Sequence, residues 1–202
     1  SQRYEQLIED LKSDYRPQRE WSEGRGAFLI LGHFLVGVAA GGWLLARYHG
    51  SVDALVLSYV LAALGGVAHL ANLARPERFM KMMLRVQSSW VSRGFWGLSF
   101  FLAGGFVYLL CRLPVGFPLD ETSALAGAGD IVAIAGALIM MCYMGFVYTA
   151  SKGIPFWNST LHPVLYIAYA IRGGIAALVL TLALRGQSLE AAGGLVEIWI
   201  AV

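Results

Sequence analysis

Charge is scarce in this sequence: 14% of its 202 residues are Asp, Glu, Lys or Arg, while 57% are hydrophobic. A soluble domain of this length must cover its surface with polar groups, so the composition argues against one. The net charge is only +2, and nothing points to nucleic acid. There are two cysteines, Cys111 and Cys142, both inside apolar runs and without a CxxC spacing. They read as buried thiols rather than as a redox pair or metal ligands. No internal repeat is evident. The first 25 residues are mostly polar, so export is expected to be directed by apolar helices rather than by a cleavable leader.

What the sequence does have is long apolar stretches and 24 glycines without a period. Crossing a hydrocarbon core of ~30 Å takes about 20 apolar residues in a helix. Stretches 26–45, 54–73, 94–113, 131–150 and 161–184 each reach that length, with Arg112 and Arg172 as their charged members. Backbone hydrogen bonds must close internally in lipid, so these runs are helices. A sixth stretch, 189–202, gives about 14 residues, roughly 21 Å of helix, too short to cross. It is expected to be the start of a sixth span in a longer chain, with a re-entrant end as the alternative. The expected fold is an all-α, polytopic transmembrane bundle: a tail over 1–25, then a helical domain over 26–202.

Basic residues gather on one side. Arg3, Lys12, Arg16, Arg19 and Arg25 lie in the tail, Arg75, Arg78, Lys81, Arg85 and Arg93 around the second connection, and Lys152 in the fourth. Arg47, Arg112 and Arg185 fall on the other side. The positive-inside rule then puts the N-terminus in the cytoplasm, although basic loops that dock a partner give the same bias. Within the tail, Tyr4, Leu7, Ile8 and Leu11 recur at helical spacing, and Pro17 ends or bends that helix. Six acidic residues offset its basic ones, so it reads as a docking element or a solvated tail. In the second connection, Pro76 suits a first helical turn, and Phe79, Met80, Met83 and Leu84 make an apolar face. Arg78, Lys81 and Arg85 lie on another face. Such an interfacial helix is either a headgroup anchor or a platform for a partner.

Polar groups inside spans are functional candidates. His33 lies roughly 10 Å deep from the basic side, His69 near the same side of the second span, and His162 opens the fifth there. His162, beside Pro163, also suits an ordinary helix start. Asn72 shares a helical face with His69, and Tyr148 ends the fourth span at similar depth. His, Asn and Tyr at one depth can hydrogen-bond the carbonyls of a quinone, and His and Tyr can transfer its protons. Tyr148 is equally explained as an interfacial aromatic, as are Trp21, Trp90 and Trp157. Arg172 lies near the midplane and needs a partner, which Glu197 across a short hairpin could supply as an ion pair or part of a proton path. Gly37 and Gly41, Gly104–Gly105 and Gly173–Gly174 read as packing notches.

The second connection also carries a resemblance. NLARPERF over 72–79, followed by SSWVSR over 88–93, resembles the "DLGRPERF" segment of polysulfide reductase and NrfD-type membrane subunits. Related dimethyl sulfoxide reductase anchors carry "HLGxPxR" and "SSWLSR". Tyr148-Thr149 leading to GIPFWN over 153–158 is similar to that family's tyrosine-then-"PxWN" connection.

The resemblance implies an eight-helix, haem-free anchor in a bacterial or archaeal cytoplasmic membrane. It exchanges electrons between quinone and an iron–sulfur subunit serving a molybdopterin catalytic subunit. It implies a quinone site on the side facing that partner, matching His33, His69, Asn72 and Tyr148, with Arg75, Arg78, Lys81 and Arg85 for docking. Two departures stand out: Asn72 replaces an Asp or His, and Arg172 replaces an apolar residue. With its partners in the cytoplasm, such a subunit suits a cytoplasmic substrate such as phenylacetyl-CoA. Three alternatives stay open: a haem b anchor ligated by His33 and His69, a secondary transporter using Arg172 and Glu197, and a bare structural anchor.

Overall fold

A computed structural model describes residues 2–13, 23–116, 118–150 and 157–201. Pro17, Trp21, Lys152 and the start of the fourth connection lie outside them. Eight α-helices are described: α1 (Gln2–Ser13), α2 (Arg25–His49), α3 (Val52–Asn72), α4 (Phe79–Met83), α5 (Trp90–Arg112), α6 (Ala124–Thr149), α7 (Leu161–Leu184) and α8 (Gly193–Ala201). Five of them, α2, α3, α5, α6 and α7, are long and apolar enough to cross a membrane.

Their ends are set by side-chain caps. Ser51, Ser89 and Ser123 accept hydrogen bonds from the backbone N–H groups of Ala54, Ser92 and Ala126, opening α3, α5 and α6. Each hydroxyl satisfies a donor that the first helical turn leaves orphaned. Two spans therefore start earlier than hydropathy suggests: α6 begins at Ala124 rather than 131, and α5 at Trp90 rather than 94. The earlier start draws Asp130 into α6, and Asp130 is tolerated because Arg47 on α2 pairs with it at 2.9 Å.

The main packing partners are α5 with α6 and α2 with α3, and α2 also contacts α7 and α6. Trp43, Leu55, Phe101 and Met140 are fully buried at the centre. Glycines allow these approaches: a Cβ at Gly41 would overlap the Ala170 carbonyl on α7, and one at Gly104 would sit 2.5 Å from the Ala133 nitrogen on α6. In lipid, close backbone contact of this kind is a leading source of helix association.

The chain direction alternates, so the starts of α2, α5 and α7 and the ends of α3 and α6 share one face, the basic one. On the opposite face Arg47, Arg112 and Arg185 are paired with Asp130, Glu121 and Asp53 at 2.9, 3.0 and 2.5 Å. Arg75, Arg78, Lys81 and Arg85 on the basic face are exposed, with no ion pair among the described residues.

The connection between α3 and α5 is more compact than a long amphipathic helix. A 3-10 turn (Pro76–Arg78) leads into α4, which has five residues. Ser92 donates from its hydroxyl to the Met82 carbonyl, and the Trp96 indole N–H donates to the Met83 carbonyl at 3.0 Å. These two bonds hold the connection down on α5. The sixth stretch forms a 3-10 turn (Leu189–Ala192) and then α8, none of whose residues is buried.

Candidate functional site

Antiparallel order turns sequence position into depth. His33 sits about two turns into α2, His69 one turn before the end of α3, and Tyr143 and Tyr148 in the last two turns of α6. All four side chains therefore reach the same level below the basic face. His33 is the hub: its ring centroid lies 5.0 Å from His69, 6.1 Å from Tyr148 and 6.4 Å from Tyr143. The Tyr143 hydroxyl is 3.4 Å from His69 Nε2, and the Tyr148 hydroxyl is 3.5 Å from His33 Nδ1. Both separations are at the outer limit for hydrogen bonds. Catalytic contacts of that length commonly tighten when a ligand arrives.

Two glycines make room for these rings. A Cβ at Gly32 would lie 3.0 Å from the His69 imidazole, and one at Gly94 would overlap the Tyr143 ring. The smallest residue on α2 and on α5 thus faces the polar ring of the neighbouring helix.

The four side chains and Asn72 line a cavity of about 240 Å³, with Met82 at its wall from the connecting segment and Trp157 at its edge. The other walls are aliphatic and aromatic side chains of α2, α5 and α6. Ligand pockets usually hold roughly 300–1,000 Å³. A space slightly below that range suits a single ring system whose tail leaves through the mouth. Imidazole nitrogens and phenol hydroxyls can each donate or accept a proton, so the lining can meet a carbonyl or a hydroxyl on such a ring.

The arrangement gathers His33, His69, Asn72 and Tyr148. It leaves out His162, which stacks on Tyr148 at 6.0 Å but does not line the cavity. Tyr143 and Met82 were not singled out from the sequence. A phenol within an apolar span is the same kind of signal that marked His33. Met82 has no such signal, because its position depends on how the connection folds back onto α5.

The expected Arg172–Glu197 pair is not formed. The Arg172 guanidinium lies over the Trp199 ring, 4.4 Å from its centroid. Glu197 and Trp199 are two residues apart on α8, about 200° around the helix. Turning Trp199 toward Arg172 therefore turns Glu197 away. The contact is a cation–π interaction on the outer side of the bundle, where both residues are exposed.

A search of curated proteins for relatives of similar sequence returned no match. A family profile, described as polysulphide reductase, NrfD, matches residues 26–198, which cover the five spans, but for Arg25 at the start of α2, and every residue of the cavity. The chain therefore belongs to the NrfD family of polysulphide reductase membrane subunits, and it is a multi-pass membrane protein.

Proposed function

We propose that this chain is the quinone-exchanging anchor subunit of a membrane oxidoreductase, with the cavity below the basic face as its quinone site. The observation that carries the proposal is the convergence of two imidazoles and two phenols on one small, otherwise apolar cavity. His33, His69, Tyr143 and Tyr148 hold the head ring, with Asn72 at the rim, and apolar walls accommodate the start of the tail. A quinone and its hydroquinone differ by two electrons and two protons. The imidazoles and phenols hold and move the protons, and the apolar side chains of the cavity wall limit bulk water at the ring.

The electrons pass to or from an iron–sulfur subunit docked on the exposed cations Arg75, Arg78, Lys81 and Arg85. That partner in turn serves a molybdopterin catalytic subunit. Met82 supports this placement because the connection bearing those cations also forms part of the cavity wall. The positive-inside bias puts this face in the cytoplasm of a bacterial or archaeal cell. A cytoplasmic acyl-CoA, such as phenylacetyl-CoA, is then the substrate class that fits.

A haem b ligated by His33 and His69 would need its macrocycle between the two imidazoles. Their rings stand in direct edge contact, 5.0 Å between centroids, an arrangement that favours the quinone reading over a haem held between them. A transporter with Arg172 and Glu197 as coupling groups predicts repeated halves, and the sequence carries no evident internal repeat.

The test is replacement of His69 or Tyr148 in the assembled complex. Turnover is measured with quinone and, separately, with a soluble electron acceptor that takes electrons from the partner subunits. The proposal expects loss of the quinone reaction with the soluble reaction retained. Equal loss of both, or loss of neither, would sink it.

A further inference from the structure

A second concavity lies on the outer side of α5 and α6, away from the quinone cavity. It is a groove of about 650 Å³ whose walls include Trp90, Trp96, Phe100, Leu138, Cys142 and Phe146. Trp90 and Phe146 stack at 4.4 Å in the wall of its upper end. From Trp90 to Phe100 is ten residues of helix, about 15 Å. That is half of a ~30 Å hydrocarbon core, the thickness of one leaflet. The groove therefore runs from headgroup level to about the midplane.

At its upper end stands Arg93. Its Nε–H donates to the Val86 carbonyl at 2.9 Å, its Nη2 to the Gln87 carbonyl at 2.9 Å, and its guanidinium lies 4.1 Å from the centroid of the Trp90 ring. Both hydrogen-bond partners are neutral, so no acidic side chain among the described residues offsets its charge. Two of five N–H donors are engaged, and three remain. The side chain is already immobilised, so a ligand would not have to order it. Residues 75–93 carry five basic side chains against the single acid Glu77, so the segment that leads into the groove is basic, and Arg93 is the cation that lines it.

We propose that this groove binds one anionic phospholipid of the leaflet on the basic side. Its phosphate sits on the free N–H edge of Arg93, and one acyl chain lies along Trp96, Phe100 and Leu138. An anionic head is favoured over a zwitterionic or neutral one because the fixed guanidinium and the surrounding cations act on its net charge. The depth of the groove matches a chain that ends within one leaflet.

The experiment uses the full chain in detergent micelles and in its assembled complex. Tryptophan fluorescence is titrated with phosphatidylglycerol brominated on its acyl chains, and with phosphatidylcholine carrying the same chains. Bromine quenches only on close approach, and Trp90 and Trp96 line the groove. The proposal expects saturable quenching at about a fivefold lower mole fraction of phosphatidylglycerol. Arg93→Gln should bring the two curves together. Cys142→Phe, which fills the groove from α6, should remove the saturable part for both lipids, and it carries the test if Arg93→Gln does not fold. Coincident curves in the unaltered protein would overturn the proposal, as would saturable quenching that survives Cys142→Phe. Loss of the phosphatidylglycerol signal on adding inorganic phosphate would show a phosphate site with no contribution from the chain. Quenching in the isolated chain but not in the complex would show that a partner protein covers the surface. Either outcome also overturns it.

Discussion

The hydroxyl of Tyr143 lies 3.4 Å from Nε2 of His69, and each ring occupies space that a glycine on the facing helix leaves open. His69 projects from α3 over Gly32 of α2, and Tyr143 projects from α6 over Gly94 of α5. A Cβ at Gly94 would overlap the Tyr143 ring and one at Gly32 would crowd the His69 ring, so at their shared level the two glycines let a phenol and an imidazole come together. Tyr143 is nearly fully buried, so it has few other ways to satisfy its hydroxyl.

Removing that hydroxyl should separate positioning from folding. Tyr143→Phe keeps the ring that fills the space beside Gly94 and deletes only the long contact to His69. Loss of one such bond costs about 1 kcal/mol, so thermal stability in detergent should change little. Quinone-linked turnover of the complex should fall roughly tenfold, the effect of losing about 1.4 kcal/mol of transition-state stabilisation. Turnover with a soluble acceptor should persist. A variant with normal quinone turnover would remove Tyr143 from the site.

Gly94→Ala should disturb the same ring from the other side. Alanine favours helix over glycine by up to about 1 kcal/mol. Here the added methyl overlaps the buried Tyr143 ring, and overpacking of that kind costs typically 1–3 kcal/mol. The steric term is the larger, so the apparent melting temperature should drop. Quinone turnover should drop with it, because the ring is forced out of line with His69. If the melting temperature rises, Tyr143 has more freedom than its burial indicates.

The five spans were legible because nearly 20 apolar residues in succession have few structural outcomes in lipid. Their ends were not. Asp130 interrupts the apolar run that hydropathy detects, and the residue that lets it stay in α6 is Arg47, 83 positions away. Depth was legible at the site for a related reason: alternating helices convert chain position into level, so His33, His69 and Tyr148 could be grouped before any contact was known. Azimuth was not. Nothing local in the sequence says that Gly32 and Gly94 set the lateral approach, or that Met82 folds over the cavity. The same gap explains Arg172, whose level matched the sixth stretch while the residue turned toward it was Trp199.

Gly41 should tolerate a methyl group far less than an exposed helical glycine does. Its missing Cβ would overlap the Ala170 carbonyl oxygen, and Gly174 meets the Gly41 backbone from the opposite helix. Backbone cannot swing aside as a side chain can, so Gly41→Ala should force α2 and α7 apart. A loss of about 3 kcal/mol or more in unfolding free energy is expected, in the range reserved for core disruption. Gly127→Ala is the matched control, because nothing lies within 4 Å of its added Cβ. That change should be neutral or stabilise by up to about 1 kcal/mol through helix propensity. Similar losses for both substitutions would mean that the close approach of α2 and α7 contributes little.

Arg47 and Asp130 should behave as a coupled pair on the face opposite the candidate site. Asp130 Oδ2 accepts from Arg47 Nε at 2.9 Å, and the Asp130 side chain is 14% exposed against 43% for Arg47. The buried partner is the carboxylate, so the two single changes should differ. Arg47→Met leaves Asp130 buried without its counterion, whereas Asp130→Asn leaves Arg47 with access to the outer surface. Breaking a buried pair from one side costs up to about 3–5 kcal/mol. Arg47 is half open, so roughly 1–2 kcal/mol is the expected loss for Arg47→Met, and less for Asp130→Asn. The double variant should be more stable than the sum of the single losses predicts, with a coupling of about 1 kcal/mol. Equilibrium unfolding of all four proteins in mixed micelles measures that cycle. Strict additivity would mean that the pair is a surface contact, and that Asp130 owes its place in α6 to water rather than to Arg47.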